Sequence, residues 1–256
     1  MSQDITVVTG SSKGIGRFLA EHYLGCGHTV IGCSRSASDL DHARYQHVEA
    51  DVGNESDVKA LFRIVRKDFG GLTNLVNNAG IASMNHSLLT PGATVQKVLS
   101  TNVLGCFLFC REAAKLMRKE KFGRIVNFST VAVRLKLEGE AAYVASKAAV
   151  EGLTDVLSRE FAEFGVTVNS VAPVPIETDL IRGVPKEKIA ALVERQSVKR
   201  LGTFEDVANV VDFFLRRESS MINGPPIGLG GVGCIWIVSG KDSRRPKAAT
   251  RWSGAI

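Results

Sequence analysis

Cysteine is sparse in this 256-residue chain, and the five present (Cys26, Cys33, Cys106, Cys110 and Cys234) are odd in number and widely spaced. That argues against a disulfide scaffold and predicts buried thiols in a reducing, cytoplasmic compartment. Cys106 and Cys110 lie four apart in a helical stretch with no His or acidic residue beside them, so they read as core thiols rather than metal ligands. Carboxylates and histidines nowhere gather at ligand spacing, and no metal site is expected. Proline is modest at 7 residues against 25 glycines, which excludes collagen-like and disordered classes and suits many tight βα turns. No uninterrupted apolar stretch has the length of a membrane span, and the first ten residues, with neither a basic nor a long apolar run, predict no signal peptide. No internal repeat or interdomain linker is visible.

Charge of one sign is also nearly missing from the body of the chain. The formal net charge is +6, but much of the excess falls in the last sixteen residues, where Lys241, Arg244, Arg245, Lys247 and Arg251 face only Asp242. A nucleic-acid surface would need basic residues gathered on a folded face. The tail reads as a frayed basic terminus, and neither a nucleic-acid nor a membrane partner is expected.

What is present is a regular alternation. Apolar runs at residues 4–9, 29–33, 47–50, 72–76, 124–128 and 166–171 read as strands, and 227–229 can add a last one. Helical spacing fills 15–25, 55–68, 93–118 (interrupted near Thr101-Asn102), 143–163, 186–196 and 204–217. Strands and helices alternating at this interval predict an α/β fold, a doubly wound parallel sheet flanked by helices on both faces. The continuous apolar character of the strands agrees with a sheet covered on both sides. Residues 1–233 read as one domain, 174–200 as a lid broken by Pro175, Gly183 and Pro185, and 234–256 as an atypical tail.

Thr9–Gly16 lies between the first strand and the first helix. Glycines at 10, 14 and 16 allow a tight turn and let a pyrophosphate approach amides at a helix N-terminus. The spacing is G-x-x-x-G-x-G rather than G-x-G-x-x-G, and no Gly-Lys-Ser/Thr follows, so a nucleoside-triphosphate loop is not expected. The second strand ends in Cys33-Ser34-Arg35, without the carboxylate that would bond ribose hydroxyls. Arg35, with Lys13 from the first loop, suits a 2′-phosphate, so NADP is favoured over NAD. Asp39 or Asp41 could fold back to supply the missing carboxylate. Asp51 could accept from an adenine amine or cap the helix beginning near 55. Asn77-Asn78-Ala79-Gly80 closes the fourth strand where ligands bind in such sheets. Asn77 could brace that wall or merely form an Asx turn.

Tyr143 and Lys147 sit in Tyr-Val-Ala-Ser-Lys, one helical turn apart on one face. A phenol beside an ammonium can exchange a proton with a substrate oxygen, and the positive charge is expected to favour the phenolate. Together with the glycine turn and Asn77–Gly80, the pair points to a nicotinamide-dependent oxidoreductase.

In order and spacing, Thr9–Gly16, Asn77–Gly80, Thr101-Asn102-Val103, Gly123–Thr130, Tyr143–Lys147 and Val171-Ala172-Pro173 resemble the short-chain dehydrogenase/reductase family, and the chain is similar to its 3-oxoacyl-carrier-protein reductases. The resemblance implies a Rossmann-type sheet of about seven strands in order 3-2-1-4-5-6-7. It implies Tyr143 as acid–base, Lys147 on the nicotinamide ribose, and Asn102 as the residue whose backbone holds a helix open around a relay water. It also implies a hydroxyl that polarises the carbonyl. That hydroxyl falls on Thr130 by spacing from Tyr143, with Ser129 as the neighbour that serves if the loop shifts. Cofactor contacts are expected from Gly10, Ser12, Lys13, Gly14, Ile15 and Gly16, from Ser34 and Arg35, and from Asp51 and Val52. The same group takes in Asn78, Ala79 and Gly80, Tyr143 and Lys147, and finally Pro173, Ile176 and Thr178, the last on the nicotinamide carboxamide unless it is a helix cap.

Two departures stand out. Val174 occupies a position where the family has glycine, which predicts strained backbone and a crowded nicotinamide face. Pro225-Pro226 removes amide donors from the last strand. The expected activity is hydride transfer between NADP(H) and a ketone or secondary alcohol. The expected partners are a small carbonyl or alcohol substrate and further copies of the chain, as a homotetramer or homodimer packed through the helices at 100–120 and 143–163. The alternative is a cofactor-binding scaffold or regulator with little catalysis.

Overall fold

Seven parallel strands lie in the order β3-β2-β1-β4-β5-β6-β7. The computed structural model describes residues 4–179, 181–224 and 226–232. The strands are β1 Ile5–Thr9, β2 Thr29–Ser34, β3 Tyr45–Glu49, β4 Asn74–Asn77, β5 Gly123–Phe128, β6 Val166–Ala172 and β7 Pro226–Gly228. Between them run α1 Gly14–Gly25, α2 Glu55–Phe69, α3 Gly92–Leu99, α4 Gly105–Glu120, α5 Ala132–Leu135, α6 Ala141–Glu160, α7 Lys186–Glu194 and α8 Phe204–Leu215. The order reverses direction between β1 and β4, which opens a crevice at the carboxyl ends of the strands.

Burial divides the helices between the two faces. Val7, Ile31, Leu75, Ile125 and Val168 pack with α2, α4 and α6 on one side. Val8, Val30, Val76, Val126 and Val171 pack with α1 and α8 on the other. Strand side chains alternate between faces, so these strands must be apolar throughout. Local chemistry sets the helix ends. Asn54 accepts from the amides of Ser56 at 2.9 Å and Asp57 at 3.4 Å to start α2, and Gly70, at φ 78°, stops it. Thr203 and Asp206 form a reciprocal capping box at α8, with bonds of 3.2 and 2.8 Å.

The helical run Gly92–Glu120 is, by length and composition, apolar enough to cross a membrane. One side of it is set in the core, with Leu108, Phe109, Ala113 and Met117 at most 2% exposed, while Leu99, Leu104 and Phe107 are exposed. The interruption expected near Thr101-Asn102 is a π-turn over Ser100–Leu104. Asn102 Nδ2 donates to Ile81 O and to Ser146 Oγ, both at 2.9 Å, and Oδ1 accepts from Ile81 N at 2.9 Å. These bonds hold the widened turn against β4 and α6.

At the opposite, amino-terminal edge, the buried Arg124 guanidinium donates to the carbonyls of Arg216 at 3.2 Å and Arg217 at 3.0 Å. It thereby caps the C-terminus of α8, where positive charge is favourable. The last strand is three residues long and begins at Pro226, as its missing amide dictates. The expected tail at 234–256, with Cys234, lies outside the described residues.

Candidate active site

The mouth of the crevice is built from the ends of β1, β4 and β5 and the first turns of α6. Strand β5 alternates Ile125, Asn127 and Ser129 toward α6, and Ser129 Oγ accordingly donates to Glu151 Oε1 at 2.6 Å. Thr130, one residue beyond, lies past the strand end, where the chain turns. Its Oγ1 accepts from Ala132 N at 3.2 Å, and its hydroxyl lies close enough to the Tyr143 phenol to lower the phenol's pKa. The structure therefore brings Thr130, not Ser129, to the tyrosine.

Lys147 is 5% exposed and donates from Nζ to Phe128 O at 2.7 Å. A Cβ placed on Gly80 would lie 3.3 Å from both Lys147 Nζ and Asn102 Oδ1, so these polar groups converge on the end of the fourth strand. Ser146 Oγ donates to Tyr143 O at 2.7 Å and accepts from Asn102, joining the π-turn to the Tyr–Lys turn. A small cavity walled by Thr9, Ala79, Asn102, Cys106, Phe128 and Lys147 runs behind the lysine.

Electrostatics here correct one expectation. Burial pushes the Tyr143 phenol up to about 12; the nearby Thr130 hydroxyl lowers it and the charge of Glu140 raises it further. Burial lowers Lys147 to about 8. Desolvation outweighs the expected pull of the ammonium toward phenolate, so this arrangement holds a neutral phenol ready to donate.

At the glycine turn, a Cβ on Gly16 would collide with Gly10 O and lie 2.5 Å from Asn78 Nδ2. Close approach therefore requires glycine there. Asn78, not Asn77, secures the turn, donating to Thr9 O at 3.0 Å and Gly10 O at 3.4 Å, while Ala79 N donates to Thr9 Oγ1 at 3.0 Å. Asn77 instead points into the core, donating to Asn127 Oδ1 at 2.9 Å and facing the Cys110 thiol at 3.3 Å. The expected Asx turn is not formed by its side chain.

The start of α1 has no side-chain cap on Lys13 and no acidic residue in its first turn. Gly14, at φ 58°, leaves open space to the Thr178 methyl, 3.8 Å from where a Cβ would stand. Free first-turn amides beside such a cradle fit a cofactor pyrophosphate. Ser12 and Ile15 belong to the same turn; Val52, 7% exposed, packs instead beside Gly105 at the start of α4.

At the end of β2, Ser34 Oγ donates to Ser36 O at 2.6 Å and meets His47 Nε2 at 3.0 Å, while Arg35 is exposed. Lys13 Nζ pairs with Asp179 Oδ2 at 2.9 Å. Asp39 does fold back, onto Arg17 Nη1 at 2.5 Å, a partner the sequence reading overlooked. Asp51 neither caps α2, since Asn54 does, nor stands free: its Oδ1 accepts from Gly53 N at 2.9 Å.

Pro173 O accepts from Val131 N at 3.1 Å, tying the end of β6 to the loop after Thr130. Ile176 bridges to Gly202, and Thr178 caps no helix, since Pro185 precedes α7. Val174 departs from expectation. Among described residues only Lys121 and Lys136 are non-glycines with positive φ, so its backbone is unstrained. Its methyls pack toward Gly202 and Gly230, where a Cβ would come within 2.8 and 2.6 Å.

The comparisons agree with this geometry. A family profile described as enoyl-(acyl carrier protein) reductase matches residues 10–229. The chain belongs to the short-chain dehydrogenase/reductase family and is an oxidoreductase of that type. Within the family it is closely related to the 3-oxoacyl-carrier-protein reductases. The enzyme FabG of Escherichia coli (strain K12), named 3-oxoacyl-(acyl-carrier-protein) reductase, is 32% identical over 233 residues, 89% of this chain and 96% of that protein. The chloroplastic NADPH-dependent aldehyde reductase 2 of Arabidopsis thaliana is 32% identical over 255 residues, 90% of this chain and 93% of that protein. Among solved structures, the ligand-free aldohexose dehydrogenase of Thermoplasma acidophilum superposes with a TM-score of 0.82 at 30% identity, covering 97% of both chains.

Proposed function

We propose that this protein reduces a ketone with NADPH, or oxidises the corresponding secondary alcohol, using Tyr143 as the acid–base. The observation that carries the reading is the Thr130 hydroxyl beside the Tyr143 phenol, one helical turn from Lys147, whose Nζ lies with Asn102 Oδ1 against Gly80. The reduced nicotinamide supplies the electrons when bound. Thr130 and Tyr143 both bond the substrate oxygen, which aligns and polarises the C–O bond. As charge develops on that oxygen, the Tyr143 proton passes to it, and Lys147 stabilises the phenolate left behind. The π-turn at Asn102 is where a relay that returns the proton would begin. The segment 174–200 serves as the lid, its first residues already lying over Gly14 through Thr178 and over Lys13 through Asp179.

NADP is favoured over NAD by exposed Arg35 next to the end of β2 and by the pairing of Asp39 with Arg17, which withdraws one carboxylate that could bond ribose hydroxyls; Lys13 reaches a 2′-phosphate on leaving Asp179. The reductase from Arabidopsis thaliana, named for NADPH, is in keeping with this. The alternative, a binder with little catalysis, rests on Val174, Thr130 and the tail, which lies outside the described residues; Thr130 beside the tyrosine and Val174 packed toward Gly202 and Gly230 favour catalysis instead. Copies of the chain are proposed to assemble through α4 and α6, which leave Phe107 and Val156 exposed.

Titration with NADPH in the presence of a ketone panel tests the reading. An enzyme oxidises the cofactor at a rate that Tyr143→Phe lowers by orders of magnitude, with cofactor affinity retained. Saturable binding without oxidation, or unchanged turnover in the variant, would contradict it.

A further inference from the structure

Tyr45 and His47 are two apart on β3, so both point to the same face of the sheet. Tyr45 reaches across β2 at Gly32, where a Cβ would collide with its hydroxyl and stand 2.5 Å from Ser11 Oγ. The phenol thereby arrives at the glycine turn, its oxygen 3.2 Å from Ser11 Oγ. The same oxygen lies 2.8 Å from His47 Nδ1. On the other side of the ring, His47 Nε2 lies 3.0 Å from Ser36 O and 3.0 Å from Ser34 Oγ. Ser34 Oγ itself donates to Ser36 O at 2.6 Å. A carbonyl only accepts, so Nε2 carries a proton and donates to Ser36 O. In a neutral imidazole Nδ1 then accepts, the phenol donates to it, and Ser11 donates to the phenol. One chain of donors therefore runs from the glycine turn to the turn that follows β2.

The second of these turns carries Arg35. Ser36 O is held by both Ser34 and His47, and Ala50 N donates to Ser34 O at 2.9 Å, so the backbone is tied on either side of Arg35. The Arg35 side chain is exposed and makes no ion pair among the described residues. The glycine turn is fastened to the same strand end, because Gly10 N and Ser11 N donate to Cys33 O at 2.7 and 3.2 Å. A guanidinium on a fixed base loses less freedom when it grips an anion than one on a loose loop.

We propose that His47 is a positioning residue for the cofactor's 2′-phosphate. It clamps Ser36 O so that Arg35 is presented to that group, and Tyr45 holds the imidazole in the tautomer that does so. The proposal rests on the NADP reading of the site. His47 acts through Arg35 and not by touching the cofactor, so its effect should follow the phosphate alone. Without the Nε2 donor, Ser36 O keeps only Ser34, and the turn is free to carry Arg35 away. NADH has no 2′-phosphate and should be held nearly as before.

Calorimetric titration of the full chain tests this with NADPH and NADH, and with adenosine 2′,5′-bisphosphate and AMP, which report the adenosine end without the nicotinamide. The proteins are the wild type, Arg35→Ala, His47→Leu, His47→Gln and Tyr45→Phe, with folding checked by circular dichroism. The wild type should prefer NADPH to NADH and the bisphosphate to AMP, and Arg35→Ala should remove most of both preferences. His47→Leu should weaken NADPH and the bisphosphate about tenfold, the scale of one charge-assisted bond, and NADH and AMP by less than about twofold. His47→Gln, whose amide still donates, should recover most of that loss. Tyr45→Phe should lower the NADPH preference in the same direction by a smaller factor. Unchanged NADPH affinity in His47→Leu, or equal losses of NADPH and NADH, overturns the role of His47. Should His47→Leu fail to fold, Tyr45→Phe decides: an unchanged ratio of NADPH to NADH affinity overturns the proposal. A wild type that prefers NADH brings down the NADP reading itself. A preference for NADPH that Arg35→Ala removes and His47→Leu leaves intact removes only the assignment of His47.

Discussion

Lys147 holds its ammonium where water scarcely reaches, and its behaviour with pH follows from that. Its value in the fold is about 8 against an ordinary 10.5, because burial disfavours the charged form. The unfolded chain therefore binds this proton more tightly than the folded one. The penalty is fully present below pH 8, fades as pH rises toward 10.5, and is on the order of 3 kcal/mol. Lys147→Met should accordingly abolish reduction yet raise Tm at pH 7, with a gain that shrinks by pH 10; a lowered Tm at pH 7 would contradict the burial argument. In the wild type, reduction should weaken as pH rises through about 8, where Lys147 loses its charge, well before the phenol titrates. The neighbouring hydroxyls divide just as sharply. Thr130→Val should cut kcat at least about tenfold, since it removes a bond to the reacting oxygen, whereas Ser129→Ala should leave kcat near wild type. The preference for Thr130 came from the family resemblance, whose spacing to Tyr143 lands on it. The turning of Ser129 toward Glu151 follows from its sharing a face with Asn127, a contact with α6 that only the fold shows. The exchange of roles between Asn77 and Asn78 was not, because adjacent amides at a strand end differ only in which face they meet. Arg17 was missed because its partner Asp39 is reached only through loop folding.

At the scale of elements, helix ends contribute more than helix propensity. The capping box at α8 satisfies two orphan amides at once, so Thr203→Ala should cost about 1 kcal/mol and lower Tm by a few degrees, read by calorimetry. The glycine turn is less forgiving. Gly16→Ala drives a methyl into Gly10 O and should abolish cofactor affinity or folding, measured by NADPH fluorescence and circular dichroism. The long elements were legible because their periodicity spans several turns: α1, α2, α6 and α8 start and end close to where the apolar spacing does. The π-turn showed only as an interruption, since its cause is the reach of Asn102 across to Ile81 and Ser146, a tertiary contact. The four-residue α5 left no mark, being too short for a period. Val174 was misjudged for a related reason: its backbone angles are set by the packing of Gly202 and Gly230 around it, and neither glycine is near it in sequence.

For the whole molecule, alternation of strand and helix was enough to specify the sheet, because right-handed crossovers leave few other arrangements for parallel strands. Strand order rested on the family resemblance, and pairing bears it out. How copies of the chain meet is a matter of exposed surface rather than pattern. With Phe107 37% and Val156 54% exposed on α4 and α6, light scattering should report a dimer or tetramer, and Phe107→Glu should shift it toward monomer. A monomeric wild type would refute that assembly. The central claim concerns chemistry, and one labelling measurement meets it directly. NADPH deuterated at its transferable position is incubated with a ketone, and the alcohol product is weighed by mass spectrometry. The account predicts one deuterium on the carbinol carbon of essentially every product molecule from the wild type, and product lowered by orders of magnitude with Tyr143→Phe. An unlabelled alcohol, or equal labelled product from both proteins, would contradict it.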